Sequence, residues 1–320
     1  MLNLDSPGSN QGDSPSPSRR VVAKLPKSRV LRNRSRFDTF NRMKPTKQLA
    51  VLERLLDDPS PVVREAVINE IKAAGDEGLL WLEVLTKNKN LASHAKSLLS
   101  NLRTSELAAR HFIEHIKGGI QDLEEACLLF ERVIHPTLAD KAYDEELDHL
   151  AERTRQLITE PLTVQEKCRL LCRVIFGEEG YRGAQESFSK PDSSLLSTVI
   201  KSHRGIPISL CLIFLLVAQR LGLPVQPVGL PGRFMVGIFK NNNPTFIDCY
   251  EGGTFRTRSE IQLMLLNNHL PADEAFLKPI SAEQTIARCC RNLVSQFEAN
   301  GDDKNSRLFL SFVNMIESRT

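Results

Sequence analysis

The feature of this 320-residue sequence that most restricts its fold is an uncharged apolar run, 206-IPISLCLIFLLVA-218. A surface helix keeps one polar face, so a run of this kind is typical of a helix that is buried on all sides. It is too short to cross a membrane, which takes about 20 residues. A turn, 221-LGLP-224, ends the run. The sequence therefore predicts a buried central helix and no membrane span.

Three short segments after this helix have the composition of β-strands: 225–230, 234–239 and 245–250. Turn signals separate them, first Pro231-Gly232 and then 241-NNNP-244. Helical patterns precede and follow this group of strands. We therefore predict an α+β fold, in which a central helix packs on a small antiparallel sheet.

The N-terminal region differs from the rest in charge and composition. Residues 1–47 carry eleven Lys or Arg and three Asp, about +8, although the whole chain sums to +3. Because residues 1–42 are rich in Ser, Pro, Gly and Arg, we predict a disordered basic tail there. Its segment Arg19–Arg36 offers weak contacts to nucleic acid or anionic surfaces, although a solvated tail is favoured. Alternatively, translation starts at Met43, and the tail is absent from the native protein.

Residues 43–104 are predicted to form a small helical block. Pro61 is expected at the first position of a helix with Ser60 as its N-cap. The residues Asp58-Pro59, Val63-Arg64 and Ala66 resemble a HEAT-type repeat. A weaker second unit follows at residues 77–102. Two such units are too few for a free-standing solenoid, so we expect the block to pack on the rest of the chain.

The remaining chain is predicted to consist of a main domain, 105–280, and a C-terminal helical hairpin, 281–320. The hairpin is expected to turn at Asn300-Gly301-Asp302. Seven cysteines without a metal-binding spacing indicate buried reduced thiols, no metal site and no cofactor. Reduced thiols and the lack of a secretory signal favour a cytoplasmic protein.

A series of short motifs between residues 106 and 315 resembles the SirB-type transglutaminase-like family. In chain order the motifs are Gly180-Tyr181-Arg182-Gly183, Leu196 to Val199, Arg204-Gly205-Ile206-Pro207 with Leu210, Leu221-Gly222-Leu223-Pro224, Leu230-Pro231-Gly232-Arg233-Phe234, Ile247-Asp248-Cys249-Tyr250 with Gly252-Gly253, and Arg288 to Leu293. The resemblance implies a transglutaminase/papain-like core, in which active members use a Cys–His–Asp triad.

This sequence departs from the active pattern at two of the three triad positions. Pro207 stands where an active relative has its nucleophilic cysteine, and Arg233 stands where the family has histidine. Arginine stays protonated and cannot act as a general base. Asp248 is kept, and we expect it to pair with Arg233 if their strands are neighbours.

Three other side chains are weak alternative nucleophiles. Cys211 lies in the apolar helix, where a thiol has a raised pKa, and Ser209 and Cys249 lie close by in sequence. Each needs a histidine within hydrogen-bond reach. His203 is the nearest in sequence, and a loop position without a catalytic role is favoured for it.

We therefore favour a catalytically inactive transglutaminase-like protein that binds a protein or peptide in a cleft near Arg204, Arg233, Asp248 and Tyr250. The alternatives are a cysteine or serine hydrolase or acyltransferase with a displaced nucleophile, and a nucleic-acid-associated protein that acts through its basic tail.

Overall fold

The computed structural model describes residues 52–319, apart from residues 89, 137, 139, 185–188, 241 and 242. The predicted basic tail and the alternative start at Met43 lie outside the described residues. From Arg54 onward the chain forms one unit. Within the described residues this unit contains eleven α-helices, a four-stranded sheet and a separate pair of two-residue strands.

Three helices come first: α1 spans Pro61–Ala73, α2 spans Asp76–Leu85 and α3 spans Ala92–Gly118. The predicted start at Pro61 is confirmed. The Arg64 guanidinium donates to the carbonyls of Asp58 and Pro59 at 2.7 and 2.9 Å, which ties α1 to the turn before it. Helix α3 continues without a break through residues 104 and 105, so the predicted domain boundary falls inside it. The domain division and the HEAT-type assignment stay predictions.

Helices α4 (Leu123–Ile134), α5 (Asp140–Leu157) and α6 (Val164–Cys172) follow, and α6 continues as a π-helical turn, Arg173–Glu178. A capping box starts α6. The Thr163 hydroxyl accepts from the Glu166 N–H at 3.2 Å, and the Glu166 carboxylate accepts from the Thr163 N–H at 2.7 Å.

The predicted central helix is confirmed as α8, Pro207–Arg220, in which every residue from Ile208 to Ala218 is buried. A short helix, α7 (Leu196–Ser202), precedes it. Two parallel two-residue strands, β1 (Arg182–Gly183) and β2 (Arg204–Gly205), pair directly before α8 begins.

The sheet follows α8 in chain order and is antiparallel throughout. Its strands are β3 (Gln226–Val228), β4 (Met235–Ile238), β5 (Thr245–Asp248) and β6 (Thr254–Thr257). The three predicted strands are present but shorter. The fourth, β6, was not predicted, because four residues after the Gly252-Gly253 turn carry too short an alternation to be told from a loop.

The two faces of the sheet belong to different cores. Val236 and Ile247 share a core with α8, whereas Met235 and Phe246 pack with α9 (Arg258–Asn267). This alternation follows from the two-residue period of a strand. The fold is therefore α+β, as predicted, with the central helix packed on a small antiparallel sheet.

The chain ends in a helical hairpin, α10 (Ala282–Ala299) and α11 (Asp303–Glu317). The hairpin packs on α3. The ring centroids of Phe112 on α3 and Phe312 on α11 lie 5.0 Å apart in an edge-to-face arrangement. Among the described residues, no helix combines the length and the hydrophobicity needed to cross a membrane.

Candidate functional site

The N-terminus of α8 is the place where an active relative would carry its nucleophile. Here the first helical residue is Pro207, and Ile206 is the N-cap. Proline suits this position because its φ is fixed near the helical value and its missing N–H would have had no partner within the helix. The position thus favours formation of the helix but offers no nucleophilic atom.

Arg233 and Asp248 form an ion pair at the end of β4 and β5 that lies opposite the turn joining these two strands. The Asp248 side chain is fully buried, and its Oδ2 lies 2.8 Å from Arg233 Nη2 and accepts from Arg233 Nε at 3.1 Å. Its Oδ1 accepts from the Glu251 N–H at 3.2 Å. The buried carboxylate is thus held by a cation on one oxygen and by the backbone on the other.

Two further charges complete this group. The Glu251 carboxylate accepts from Arg233 Nη2 at 2.9 Å, and Arg256 Nε lies 3.6 Å from Asp248 Oδ2. Arg256 Nε is buried and has no hydrogen-bond partner within the described part of the chain. We call Arg233, Asp248, Glu251 and Arg256 the arginine–carboxylate cluster. Its formal charges sum to zero.

The electrostatics of the cluster keep Arg233 protonated. Burial alone would lower the pKa of Arg233, but the bonds to Glu251 and Asp248 outweigh it, so the pKa is raised. The guanidinium also lies 5.4 Å from the centre of the Tyr250 ring, at cation–π distance. Arg233 therefore cannot accept a proton at any accessible pH.

Arg288 on α10 holds the turn that carries Arg233. Its Nη2 donates to the carbonyls of Leu230 and Arg233 at 2.6 and 2.9 Å, and its guanidinium lies 5.6 Å from the centre of the Phe234 ring. Burial lowers the pKa of Arg288 from its ordinary value. In the sequence, the only signal for this contact is the position of Arg288 at the start of the late Arg288-to-Leu293 motif.

Strands β1 and β2 bring a second part of the chain to the cluster. The Tyr250 ring rests on Gly183, where an added Cβ would lie 2.5 Å from a ring carbon. Gly183 pairs with Gly205, and Arg204 precedes Gly205 in β2. Of the predicted cleft residues, Arg233, Asp248 and Tyr250 thus lie together, and the backbone of Arg204 lies next to the same contact.

The alternative nucleophiles Ser209, Cys211 and Cys249 are buried, and the first two already donate hydrogen bonds to backbone carbonyls. The Cys211 thiol donates to the Phe234 carbonyl at 3.4 Å, and the Ser209 hydroxyl donates to the carbonyls of Ser193 and Ile206 at 2.9 and 3.0 Å. Burial, with a smaller contribution from a hydrogen bond to Cys211, raises the pKa of Cys249 well above its ordinary value. A neutral thiol is a poor nucleophile.

No histidine in the described residues hydrogen bonds with Ser209, Cys211 or Cys249. His203 lies elsewhere: its Nδ1 is 2.5 Å from the Glu179 carbonyl, and its ring stacks on Tyr181 with centroids 4.2 Å apart. The described residues also contain no group of three or more His, Cys, Asp or Glu side chains that is placed to hold a metal ion.

The central helix and the sheet lie in a region whose sequence is similar to known proteins. The sequence model of the transglutaminase-like superfamily matches residues 141–291, which include α8 and the whole arginine–carboxylate cluster. Curated relatives include a UPF0162 protein of Xylella fastidiosa, 30% identical over 186 residues, which are 56% of this chain and 66% of that protein.

Two further relatives each match about half of this chain. They are UPF0162 protein YchA of Escherichia coli, 24% identical over 161 residues (50% of this chain, 60% of that protein), and Protein SirB1 of Salmonella typhimurium, 26% identical over 157 residues (49% and 58%). The chain thus spans less than two thirds of the length of each of these relatives. No solved structure gives a significant match.

Proposed function

Because this chain belongs to the SirB-type transglutaminase-like family, and because its triad positions hold Pro207, Arg233 and Asp248, we propose that it is a catalytically inactive member that binds a protein or peptide. The observation that carries the proposal is the ion pair of Arg233 with Asp248. Arg233, which is permanently charged, stands at the position of the general base. Asp248, which would orient that base in an active member, binds Arg233 instead.

The proposal accounts for what the fold retains. The central helix, the sheet and the turn held by Arg288 keep the frame of a cysteine-hydrolase site, although the frame presents no nucleophile–base pair in the described residues. A rigid frame without chemistry is suited to binding, since its contacts need not change during a reaction.

The catalytic half is tested by amine transfer. The full-length chain is incubated with a fluorescent primary amine and a glutamine-containing protein, beside an active transglutaminase as the positive control. We expect no amine incorporation, because no thiolate is available to form an acyl intermediate. Incorporation above the level of a heat-denatured sample would contradict the proposal.

Thiol labelling gives an independent check of the displaced-nucleophile alternative. All seven cysteines are buried and free, so iodoacetamide at pH 7 is expected to label the native chain slowly and the urea-unfolded chain rapidly. Rapid labelling of one native thiol, blocked by a glutamine peptide, would establish a reactive cysteine and overturn the inactive assignment.

The binding half is tested by cross-linking the full-length chain in its own cells, followed by mass spectrometry. One recurrent protein, cross-linked to described residues, is the expected result. Cross-links that join only copies of this chain, or none, would contradict it. Binding of nucleic acid through the basic tail is the rival, and it predicts retention on nucleic acid that is lost at high salt and on deletion of residues 1–42.

A further inference from the structure

A groove with an apolar floor lies between the first helices and the C-terminal hairpin, away from the arginine–carboxylate cluster. Its volume is about 830 Å³. Helices α1, α2 and α3, the end of α4, residues 190–192 and the α10–α11 turn all contribute to its walls. The floor is aliphatic and includes Ile68, Leu79, Leu102, Ala109, Ile134 and Leu308. We call it the hairpin groove.

Five charged side chains on the rim have no ion partner. They are the carboxylates Glu65, Glu106 and Asp192 and the cations Arg110 and Lys190. Within the described residues, none of them lies within 4 Å of an opposite charge. Glu65 comes from α1, Glu106 and Arg110 come from successive turns of α3, and Lys190 and Asp192 come from the segment before α7. The rim thus changes sign along α3.

Other rim charges are already engaged. The Asp302 carboxylate caps α11, accepting from the N–H and from the side-chain amide of Asn305 at 3.0 and 2.6 Å. Lys304, a further rim cation, also has a partner. Lys190 and Asp192 are opposite charges two residues apart and balance each other. The charges left for a ligand are therefore the carboxylates Glu65 and Glu106 and the cation Arg110.

These observations together define the chemistry of the occupant. An aliphatic floor needs apolar side chains, and the rim needs cations near Glu65 and Glu106 and a carboxylate near Arg110. A small apolar molecule would fill the floor and leave the rim charges unpaired. An extended peptide gains most of its affinity from a sheet edge, and the walls here are helices and turns. An amphipathic helix supplies both kinds of side chain from one face and its margins.

Resting on the proposed binding function, we infer that the hairpin groove is its site, and that the partner segment is an amphipathic helix of another protein. Its apolar residues recur at i, i+3 or i+4, and i+7. Basic side chains flank the apolar face toward Glu106, and acidic side chains flank it toward Arg110. The helix bridges α1 and α3 to the C-terminal hairpin.

The probe is a phage-displayed library of 16-residue peptides, selected on the full-length chain. Selected peptides are then synthesised with a fluorescent label and titrated by anisotropy. We expect sequences with the apolar spacing above and with opposite charges on their two margins. Binders without this spacing, or no binders at all, would overturn the inference.

Matched variants locate the binding site. Leu308→Glu places a charge in the floor, whereas Leu310→Glu makes the same change two residues further along α11, at a side chain that is 43% exposed and does not line the groove. Leu308→Glu is expected to weaken binding about 10-fold or more, and Leu310→Glu less than about 2-fold. Equal effects of the two variants would contradict the assignment.

A charge reversal covers the case in which Leu308→Glu disturbs folding. Arg110 is exposed, so Arg110→Glu leaves the core intact. It should weaken the selected peptides severalfold, and a peptide whose acidic margin is changed to lysine should regain that loss. If Tyr250→Ala abolishes binding while the groove variants do not, the chain binds peptides at the cluster and the groove assignment is wrong. Amine transfer by the wild-type chain would instead remove the proposed function itself.

Discussion

At the cluster, Arg233 lies 2.8 Å from a buried carboxylate, whereas Arg110 in the hairpin groove has no carboxylate within 4 Å among the described residues. The cluster is polar, and its charges neutralise one another. The groove has an aliphatic floor, and Glu65, Glu106 and Arg110 on its rim have no ion partner among the described residues. A ligand at the cluster must displace an existing ion pair, whereas a ligand at these three rim charges breaks no ion pair of the described residues.

This difference separates a site whose charges pair with one another from a site whose charges do not. In the cluster, Arg233, Asp248 and Glu251 form ion pairs that stabilise the structure. In the groove, partly buried apolar side chains, of which Ala109, Ile134 and Leu308 also pack on the core, lie beside charges without an ion partner among the described residues. The following changes test each side of this contrast.

The largest effect is expected from Arg233→Met. This change removes the nearest cation from the fully buried Asp248 carboxylate and leaves Arg256, whose Nε lies 3.6 Å from Asp248 Oδ2. Removing one partner of a buried pair costs up to about 3–5 kcal/mol of unfolding free energy. Urea unfolding followed by circular dichroism measures it. Adding Asp248→Asn removes the stranded charge, keeps the acceptor for the Glu251 N–H, and should recover most of the loss. If the unfolding free energy of Arg233→Met lies within about 1 kcal/mol of the wild-type value, this ion pair does not stabilise the cluster.

The next test concerns a buried carboxylate on the groove side of the molecule. Glu131 on α4 is fully buried and accepts from the backbone N–H groups of Leu196 and Ser197 at the start of α7. Burial raises the pKa of Glu131 from 4.5 to about 7, although these bonds and the Ser197 hydroxyl oppose the shift. Unlike Asp248, this carboxylate forms no ion pair among the described residues.

The sign of its effect follows from proton binding. Between pH 4.5 and about 7 the folded state holds more protons than the unfolded state, so unfolding free energy falls as pH rises through this window. The fall attributable to Glu131 is about 3 kcal/mol. Urea unfolding at pH 5, 6, 7 and 8 for wild type and Glu131→Gln isolates it, since other groups cancel in the difference. Parallel curves for the two proteins would refute the raised pKa.

A smaller effect distinguishes the two glycines beside the cluster. Gly252 and Gly253 both have positive φ, 64° and 77°, but only Gly253 is confined, since an added Cβ would lie 2.6 Å from the Cys172 sulfur. At Gly252 an added Cβ meets nothing within 4 Å. Gly253→Ala should therefore lose about 1–3 kcal/mol more than Gly252→Ala by thermal or urea unfolding. Equal losses would mean that the backbone conformation alone requires these glycines.

The smallest effect is expected at the α1 wall of the groove. Arg64→Ala removes the two bonds to the carbonyls of Asp58 and Pro59 and should cost about 1 kcal/mol. Glu70→Ala, at an exposed position of the same helix, is the control and should change little. Faster amide hydrogen exchange confined to α1 in Arg64→Ala is the expected readout. Unchanged exchange would show that these bonds do not hold the wall.

Several elements could be predicted because their signal is local. The central helix follows from an apolar run without a polar face, and α1 begins at Pro61 because proline fits the first helical turn. The turn at Asn300-Gly301-Asp302 separates two amphipathic helices, as expected. In contrast, β6 is held mainly by its pairing with β5, and four residues carry too little pattern to reveal that pairing.

The sequence by itself determined that Pro207 and Arg233 carry no nucleophile and no base, because the identity of a side chain fixes its acid–base chemistry. From the sequence, Arg233 is expected to pair with Asp248 only if their strands are neighbours, and the tertiary structure decided that they are. The further bond from Arg233 to Glu251, the hold of Arg288 on the turn that carries Arg233, and the convergence of six chain segments on the hairpin groove all depend on residues far apart in sequence. Distances of this kind are set by packing of the two cores, and no local pattern of residues records them.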